Sequence, residues 1–455
     1  MAEISPSAPQ ALGVPESLAT VLKWRDTPTP LSEEEFNLAI QELGTVVQAL
    51  DNHPDQLGRF ARALGLVVLG NLHRDHGLLD HALPFYHLAL QNPADLDDGT
   101  PRGKNELANA HTNRGICTLS AGDKDELPDA LADFEQAIAL RKEIPAEGEE
   151  NIRWGLAASL MNRGDVLHRM GERNEDARAT YDEAIALLEE MDWQGNAGVL
   201  QRLALAWANR GLVGDSHEDA RRCFEKCIEL LPDPQNPAQL LTLCNALLNR
   251  GRHSLGVGSD TEAAAADARK VLELTTPHER DHPAPAELSL QGRHLLAHAL
   301  VTWLDSSKQG PGLAEDWIGD TTDTVEDALS VQRHWEQQGF TGLRPLAGEL
   351  FALGLHVYRV CQPHFFAEFL IESMDPETSP GAPFADPMFQ ATAARALHTV
   401  VNEVAQRAAS STLEPADVEK QKKILNSLRA ADQRLAALQQ KYAPPQQEEP
   451  PAEMV

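Results

Sequence analysis

Four times the chain repeats one tripeptide inside an alanine-rich helical pattern: Asn113-Arg114-Gly115, Asn162-Arg163-Gly164, Asn209-Arg210-Gly211 and Asn249-Arg250-Gly251. The Asn-to-Asn spacings are 49, 47 and 40 residues, too long for a heptad and suited to a helical hairpin plus its loops. A single hairpin cannot bury its apolar face alone, so neighbours must stack into a continuous core. The repeat therefore predicts an all-α solenoid whose curved surface is the working part.

The second helix of each unit carries a signature of its own: Ala130-x-x-x-Phe134-x-x-Ala137, Ala177-x-x-x-Tyr181-x-x-Ala184 and Ala220-x-x-x-Phe224-x-x-Cys227. Small residues let helices approach, and the aromatic fills the gap. A more divergent first unit has Gly70, Gly77, Ala82, Tyr86 and Ala89 in order, with Asn71 in place of the tripeptide. This layout resembles the tetratricopeptide repeat family over roughly residues 57–275. The resemblance implies a right-handed superhelix of antiparallel helix pairs with helical caps, in which the first helix of each pair lines the concave face. The units exceed the family's standard length, and the extra residues, such as 141–151 and 191–198, read as inter-hairpin segments. That long period is similar to kinesin light chains, whose inter-repeat loops often hold a His-Pro step, as at His282-Pro283 here.

On this reading residues 1–14 form a disordered N-terminus and 15–56 capping helices. Residues 57–280 are the solenoid core, 281–375 degenerate helical repeats, 386–442 C-terminal helices and 443–455 a disordered acidic tail. The first clear helix begins at Ser32, where Glu35 reaches back as a capping box and Leu31 packs on Phe36 as a staple. Pro277, Pro283 and Pro285 interrupt the pattern, and a new helix is expected near Ala286. In the last helix, expected over residues 415–442, Ile424, Leu428, Ala431, Leu435 and Leu438 form a short heptad seam. Such a seam serves either as a solenoid cap or as a dimer contact.

The net charge is −30, from 39 Lys+Arg against 69 Asp+Glu. It disfavours nucleic acid and anionic membrane surfaces as partners. Five scattered cysteines, Cys117, Cys223, Cys227, Cys244 and Cys361, contain no C-x-x-C pair and suit a reducing cytoplasm. No stretch approaches eighteen consecutive apolar residues, and the N-terminal residues lack the pattern of a secretion signal.

Candidate site residues follow from the repeat. Asn71, Asn113, Arg114, Asn162, Arg163, Asn209, Arg210, Asn249 and Arg250 would form a ladder along the groove. The asparagines there would bind an extended peptide's backbone and the arginines its carboxylates. The alternative is that asparagine bridges adjacent helices and arginine pairs with glutamates of the next hairpin. A chaperone-type carboxylate clamp, known in some proteins of the family, would match Asn71 and Asn113. It would want bases where Val67, Met161 and Asp165 stand.

His278-Glu279-Arg280-Asp281-His282 fits H-E-x-x-H, but Pro277 and Pro283 deny it the helix a zinc hydrolase needs. His73, His76, His81 and His87 cluster without a completing cysteine or carboxylate set, and Gly99 to Lys104 falls one residue short of a phosphate loop. The expectation is a noncatalytic scaffold without cofactor that binds a protein or peptide. A cytoskeletal accessory role on a tubulin-like filament stands as the alternative, and a metal-dependent hydrolase as the remote one.

Overall fold

The computed structural model describes residues 13–122, 124–145, 150–171, 173–258, 260–306, 315–361, 387–409 and 415–441. Among these residues the chain is all-helical, with no strand. The expectations for residues 1–12, 362–386 and 442–455 lie outside them. The chain divides into two compact units, Met1–Leu230 and Leu231–Val455.

The first unit opens with α1 (Val14–Arg25) and α2 (Glu33–Ala49). Helix α1 precedes the start expected at Ser32 because Pro15 falls in its first turn, where a missing N–H costs nothing. Its Val21 and Trp24 are buried, and the Trp24 indole donates to Glu42 Oε2 of α2 at 2.7 Å. The cap at Ser32 forms as the pattern requires: Glu35 N donates to Ser32 Oγ at 3.3 Å, and Ser32 N to Glu35 Oε2 at 2.9 Å.

Four helix pairs follow: α3 (Gln56–Asp75) with α4 (Leu79–Ala89), α5 (Pro101–Ala121) with α6 (Leu127–Lys142), α7 (Glu150–Met170) with α8 (Asn174–Glu189), and α9 (Ala197–Leu212) with α10 (His217–Leu230). One contact repeats in all four. A Cβ on Gly70, Gly115, Gly164 or Gly211 would lie 2.7, 2.9, 2.7 or 2.5 Å from the ring of Tyr86, Phe134, Tyr181 or Phe224 respectively. Glycine is required because the buried ring of the second helix lies against the first helix's backbone.

First helices also neighbour one another in the order α3, α5, α7, α9. The core is accordingly a series of patches, one around Leu64 and Tyr86, one around Phe134 and Tyr181, and one around Leu160, Leu188 and Leu203. Each hairpin thus packs on its neighbours in sequence, as repeat architecture demands.

The second unit begins with α11 (Pro237–His253) and α12 (Thr261–Thr275). Here Gly251 keeps the tripeptide but not its ring, because Leu295 takes that place, 2.5 Å from where a Cβ would be. Helices α13 (Pro283–Ser306), α14 (Glu315–Gln337), α15 (Arg344–Cys361), α16 (Pro387–Ala408) and α17 (Pro415–Lys441) then gather around one cluster. That cluster includes Val325, Trp335, Phe351, Leu397 and Leu428. The heptad residues Ile424, Leu428, Ala431 and Leu435 are buried in this same cluster, with α16 packed on α17.

Candidate functional site

The arginines of the ladder are engaged by acids of their own chain. Arg114 donates to both oxygens of Asp133 at 2.8 and 2.7 Å, Arg210 bridges Asp182 at 2.7 Å and Asp219 at 2.8 Å, and Arg250 grips Asp267 at 3.0 and 2.6 Å. Arg163 reaches Glu135 at 3.2 Å and also the Thr180 hydroxyl. Each fork thus lies against the second helices, and its donors are occupied there.

The asparagines differ from one another. Asn71 follows its glycine by one residue, whereas Asn113, Asn162, Asn209 and Asn249 precede theirs by two. The two registers meet between α3 and α5, where Asn113 Nδ2 donates to Asn71 Oδ1 at 2.8 Å, Tyr86 Oη donates to the same oxygen at 2.7 Å, and Arg74 donates to Asn113 Oδ1 at 2.8 Å. Asn209 hydrogen-bonds Tyr181 of the preceding hairpin. Asn249 accepts from Arg252 at 3.2 Å, and Asn162 is half-buried.

The H-E-x-x-H segment is a 3-10 turn from Thr276 to His278 followed by turn residues, and α13 starts at Pro283. Glu279, the residue a hydrolase would use as base, is buried and takes Arg293 at 2.6 Å together with the Ser289 hydroxyl. Its backbone oxygen accepts the Trp335 indole at 2.8 Å. Among the described residues, no group of three or more His, Cys, Asp or Glu is placed to hold a metal. His73 and His76 each donate Nδ1–H to the carbonyl four residues back, at 2.8 and 3.0 Å.

A different set of residues lines a cleft on the first-helix side of unit 1. It has a volume of about 840 Å³ and runs from the end of α1 across the first half of α5 to the start of α7. Asn105, Asn109 and Trp154 are among its walls, and its charged lining is mixed, with Arg25 and Arg102 beside Asp26, Glu106 and Glu150. On α5, Arg102, Asn105 and Asn109 share one face because they are spaced by three and four residues.

Under this cleft lies Arg141. The sequence reading put it in an inter-hairpin segment, but it occupies the last turn of α6 and is 2 % exposed. Its Nε donates to Asn105 Oδ1 at 3.1 Å and its Nη2 to Asn109 Oδ1 at 2.6 Å. Its Nη1 donates to the hydroxyls of Thr112 at 3.1 Å and Ser159 at 2.7 Å. Gly155 covers it: a Cβ there would be 2.6 Å from Arg141 Nε. Among the described residues no carboxylate comes within 4 Å of this guanidinium. Burial pulls its pKa down to about 10, with the Glu106 charge opposing.

The repeat register shows how unusual this is. Arg141 stands seven residues after Phe134, and the same place after Tyr181 and Phe224 holds Leu188 and Leu231, both buried. Ten and six residues before their glycines, α7 has Trp154 and Ala158 and α9 has Gln201 and Leu205, where α5 has Asn105 and Asn109. The amides and the buried cation occur together in one hairpin. A comparison of the repeats with each other in this register would have exposed the set in the sequence. What hid it was the assignment of Arg141 to a loop.

A second guanidinium is placed similarly. Arg202 of α9 lies 3.6 Å from the Trp154 ring centre and donates to Trp154 O at 3.0 Å. Burial pulls it down to about 10 as well. It fixes Trp154 as a flat apolar wall beside the amides.

No family model matches this chain. No curated protein matches it either. Among solved structures it is similar to the Rap conjugation gene regulator of plasmid pLS20 in complex with the Phr* peptide, with 14% identity over 76% of this chain and 97% of that one, at a TM-score of 0.34. It is also similar to a circular tandem repeat protein with novel repeat topology, with 12% identity, 95% and 100% coverage and a TM-score of 0.25. At these values the likeness carries no functional inference. None of the described helices is long and apolar enough to cross a membrane.

Proposed function

We propose that the chain is a noncatalytic peptide-binding protein of tetratricopeptide type, and that the α5/α7 cleft of its first unit receives an extended segment of a partner. The observation that carries the reading is the orientation of the Asn105 and Asn109 amides. Arginine has donors only, so both amide oxygens must turn toward Arg141 and both NH2 groups away from it. The Asn109 NH2 also donates to Glu106 Oε2 at 3.4 Å, so the Asn105 NH2 and the second hydrogen of Asn109 are the donors that suit the carbonyls of an extended backbone, with Trp154 as the apolar wall. The ladder arginines support a stabilising role for that motif, since each fork is already taken by an acid.

A reading as scaffold rather than enzyme agrees with Glu279 serving a buried ion pair. A tubulin-like partner, the kinesin light chain alternative, has no observation in its favour. The test is selection of binders from a random linear-peptide library on the full chain, repeated with Asn105→Leu and Asn109→Leu. Recovery of peptides that bind the wild type and lose about tenfold or more on either variant is expected, on the order of one or two hydrogen bonds. Failure to select any peptide, or selection of peptides indifferent to both variants, contradicts the proposal.

A further inference from the structure

We propose that the second unit holds a small-molecule site for a lipophilic cation, in the apolar groove between residues 233–238, which lead into α11, and the start of α13. The site is separate from the peptide cleft of the first unit and stands on observations of its own.

The groove has a volume of about 720 Å³, a size that suits a small ligand rather than a length of partner chain. Leu240 and Leu241 of α11, Leu274 of α12 and Leu288 of α13 supply its apolar surface. Leu288 is buried, whereas Leu241 is 46 % exposed. Both walls are fixed without a ligand. On one, Gln235 N donates to Gln239 Oε1 at 2.8 Å and Gln239 N to Asn236 Oδ1 at 2.9 Å, with Pro234 and Pro237 restricting the chain on either side. On the other, Ala284 N donates to His282 Nδ1 at 3.2 Å, and Pro283 and Pro285 open α13. An apolar concavity held open to water by rigid walls gains free energy when an apolar body fills it.

The rim decides the charge of that body. Asp233 and Asp281 line the groove, and among the described residues no Lys or Arg does. Other acids of this region are neutralised, Asp267 by Arg250, Glu273 by Lys270 and Glu279 by Arg293. Asp233 instead accepts from the neutral Gln235 amide at 2.9 Å, and Asp281 lies 3.9 Å from His278 Nδ1. Arg280, next to Asp281 in the chain, donates to Ser330 Oγ of α14 at 3.1 Å. Of the two lining histidines, His282 is neutral, because an Nδ1 that accepts an N–H carries no proton. Two carboxylates therefore stand against at most one imidazolium, in a chain of net charge −30. Such a rim repels an anion and attracts an ammonium, so a molecule that joins an ammonium to an apolar body matches both parts of the groove.

The probes are phenylbutylamine, phenylbutanol and phenylbutanoate, one apolar body with a positive, neutral or negative head, titrated into the full chain by ligand-observed NMR. The amine is expected to bind about fivefold or more tighter than the alcohol, the gain of a cation beside exposed carboxylates, and the carboxylate most weakly. Asp233→Asn and Asp281→Asn together, both on the exposed rim, should lower the amine to the alcohol's affinity and leave the alcohol unchanged. Leu241→Ser, also at the surface, should weaken amine and alcohol alike. Equal affinity for the three probes, no binding of the amine at millimolar concentration, or an amine affinity untouched by these substitutions overturns the proposal.

Discussion

Hairpins α5/α6 and α7/α8 are built on one plan and diverge at one level. Each seats an aromatic ring on a glycine, Phe134 on Gly115 and Tyr181 on Gly164, and each buries the residue seven positions after the ring. In α8 that residue is Leu188, fully buried in an apolar patch; in α6 it is Arg141, surrounded by Asn105, Asn109, Thr112 and Ser159. The comparison teaches that the glycine-ring contact is sufficient to set the hairpin. The layer above it is then free to carry either core or chemistry.

The comparison breaks most severely if the arginine is moved. Leu188→Arg should cost about 3–5 kcal/mol in chemical denaturation, since the α7/α8 patch has no amides to receive a guanidinium. A loss under about 1 kcal/mol would mean that any hairpin of the repeat accepts a buried cation. Next in size, Phe134→Ala and Tyr181→Ala should each cost about 3–4 kcal/mol, and by similar amounts, because the rings fill equivalent spaces. A large difference between them would deny the shared plan.

Arg141→Leu should run the other way, leaving stability unchanged or raising it by up to about 2 kcal/mol, as replacement of a buried charge by a packed apolar side chain often does. The same melting curves measure it.

A smaller effect separates the hairpins by pH. Burial pushes the Asp133 carboxyl up, but hydrogen bonds from His111 and Arg114 and the guanidinium charge outweigh it and hold the group below its ordinary 3.8. Its folded pKa lies beneath the unfolded one, so its stabilisation is present above the unfolded value and disappears as pH falls through the folded value. The equivalent position in α8, next to Tyr181, is Thr180, which does not titrate. Amide exchange should therefore show α5 and α6 loosening at pH values below about 4 before α7 and α8 do, and Asp133→Asn should remove that difference.

Much of this is legible in the sequence. The glycine and aromatic spacings give the hairpins, the Ser32 and Glu35 pair gives a cap, and Pro277 and Pro283 give the break that dismantles the H-E-x-x-H motif, although the next helix starts at Pro283 rather than near Ala286. Ion pairing of the ladder arginines is one of two readings the sequence offers, and the choice between them is not legible, because a sequence does not say which face of a helix the residue before the glycine presents. That residue faces the second helix, where Asp133, Asp219 and Asp267 wait. Arg141 was missed for a related reason: a charged residue after the last small position of a helix ordinarily marks a solvated end, and only packing under Gly155 reveals it as buried. The heptad seam of α17 likewise reads as a contact for a second copy until its residues are found in the core of the second unit.

The most direct test of the account is amide hydrogen exchange of the full chain with and without a library-selected peptide. Protection is predicted to concentrate on residues 102–109 of α5 and 150–155 of α7. Protection instead at the apolar groove of the second unit, formed by Leu240, Leu241, Leu274 and Leu288, or spread evenly along the first helices of unit 1, would contradict it.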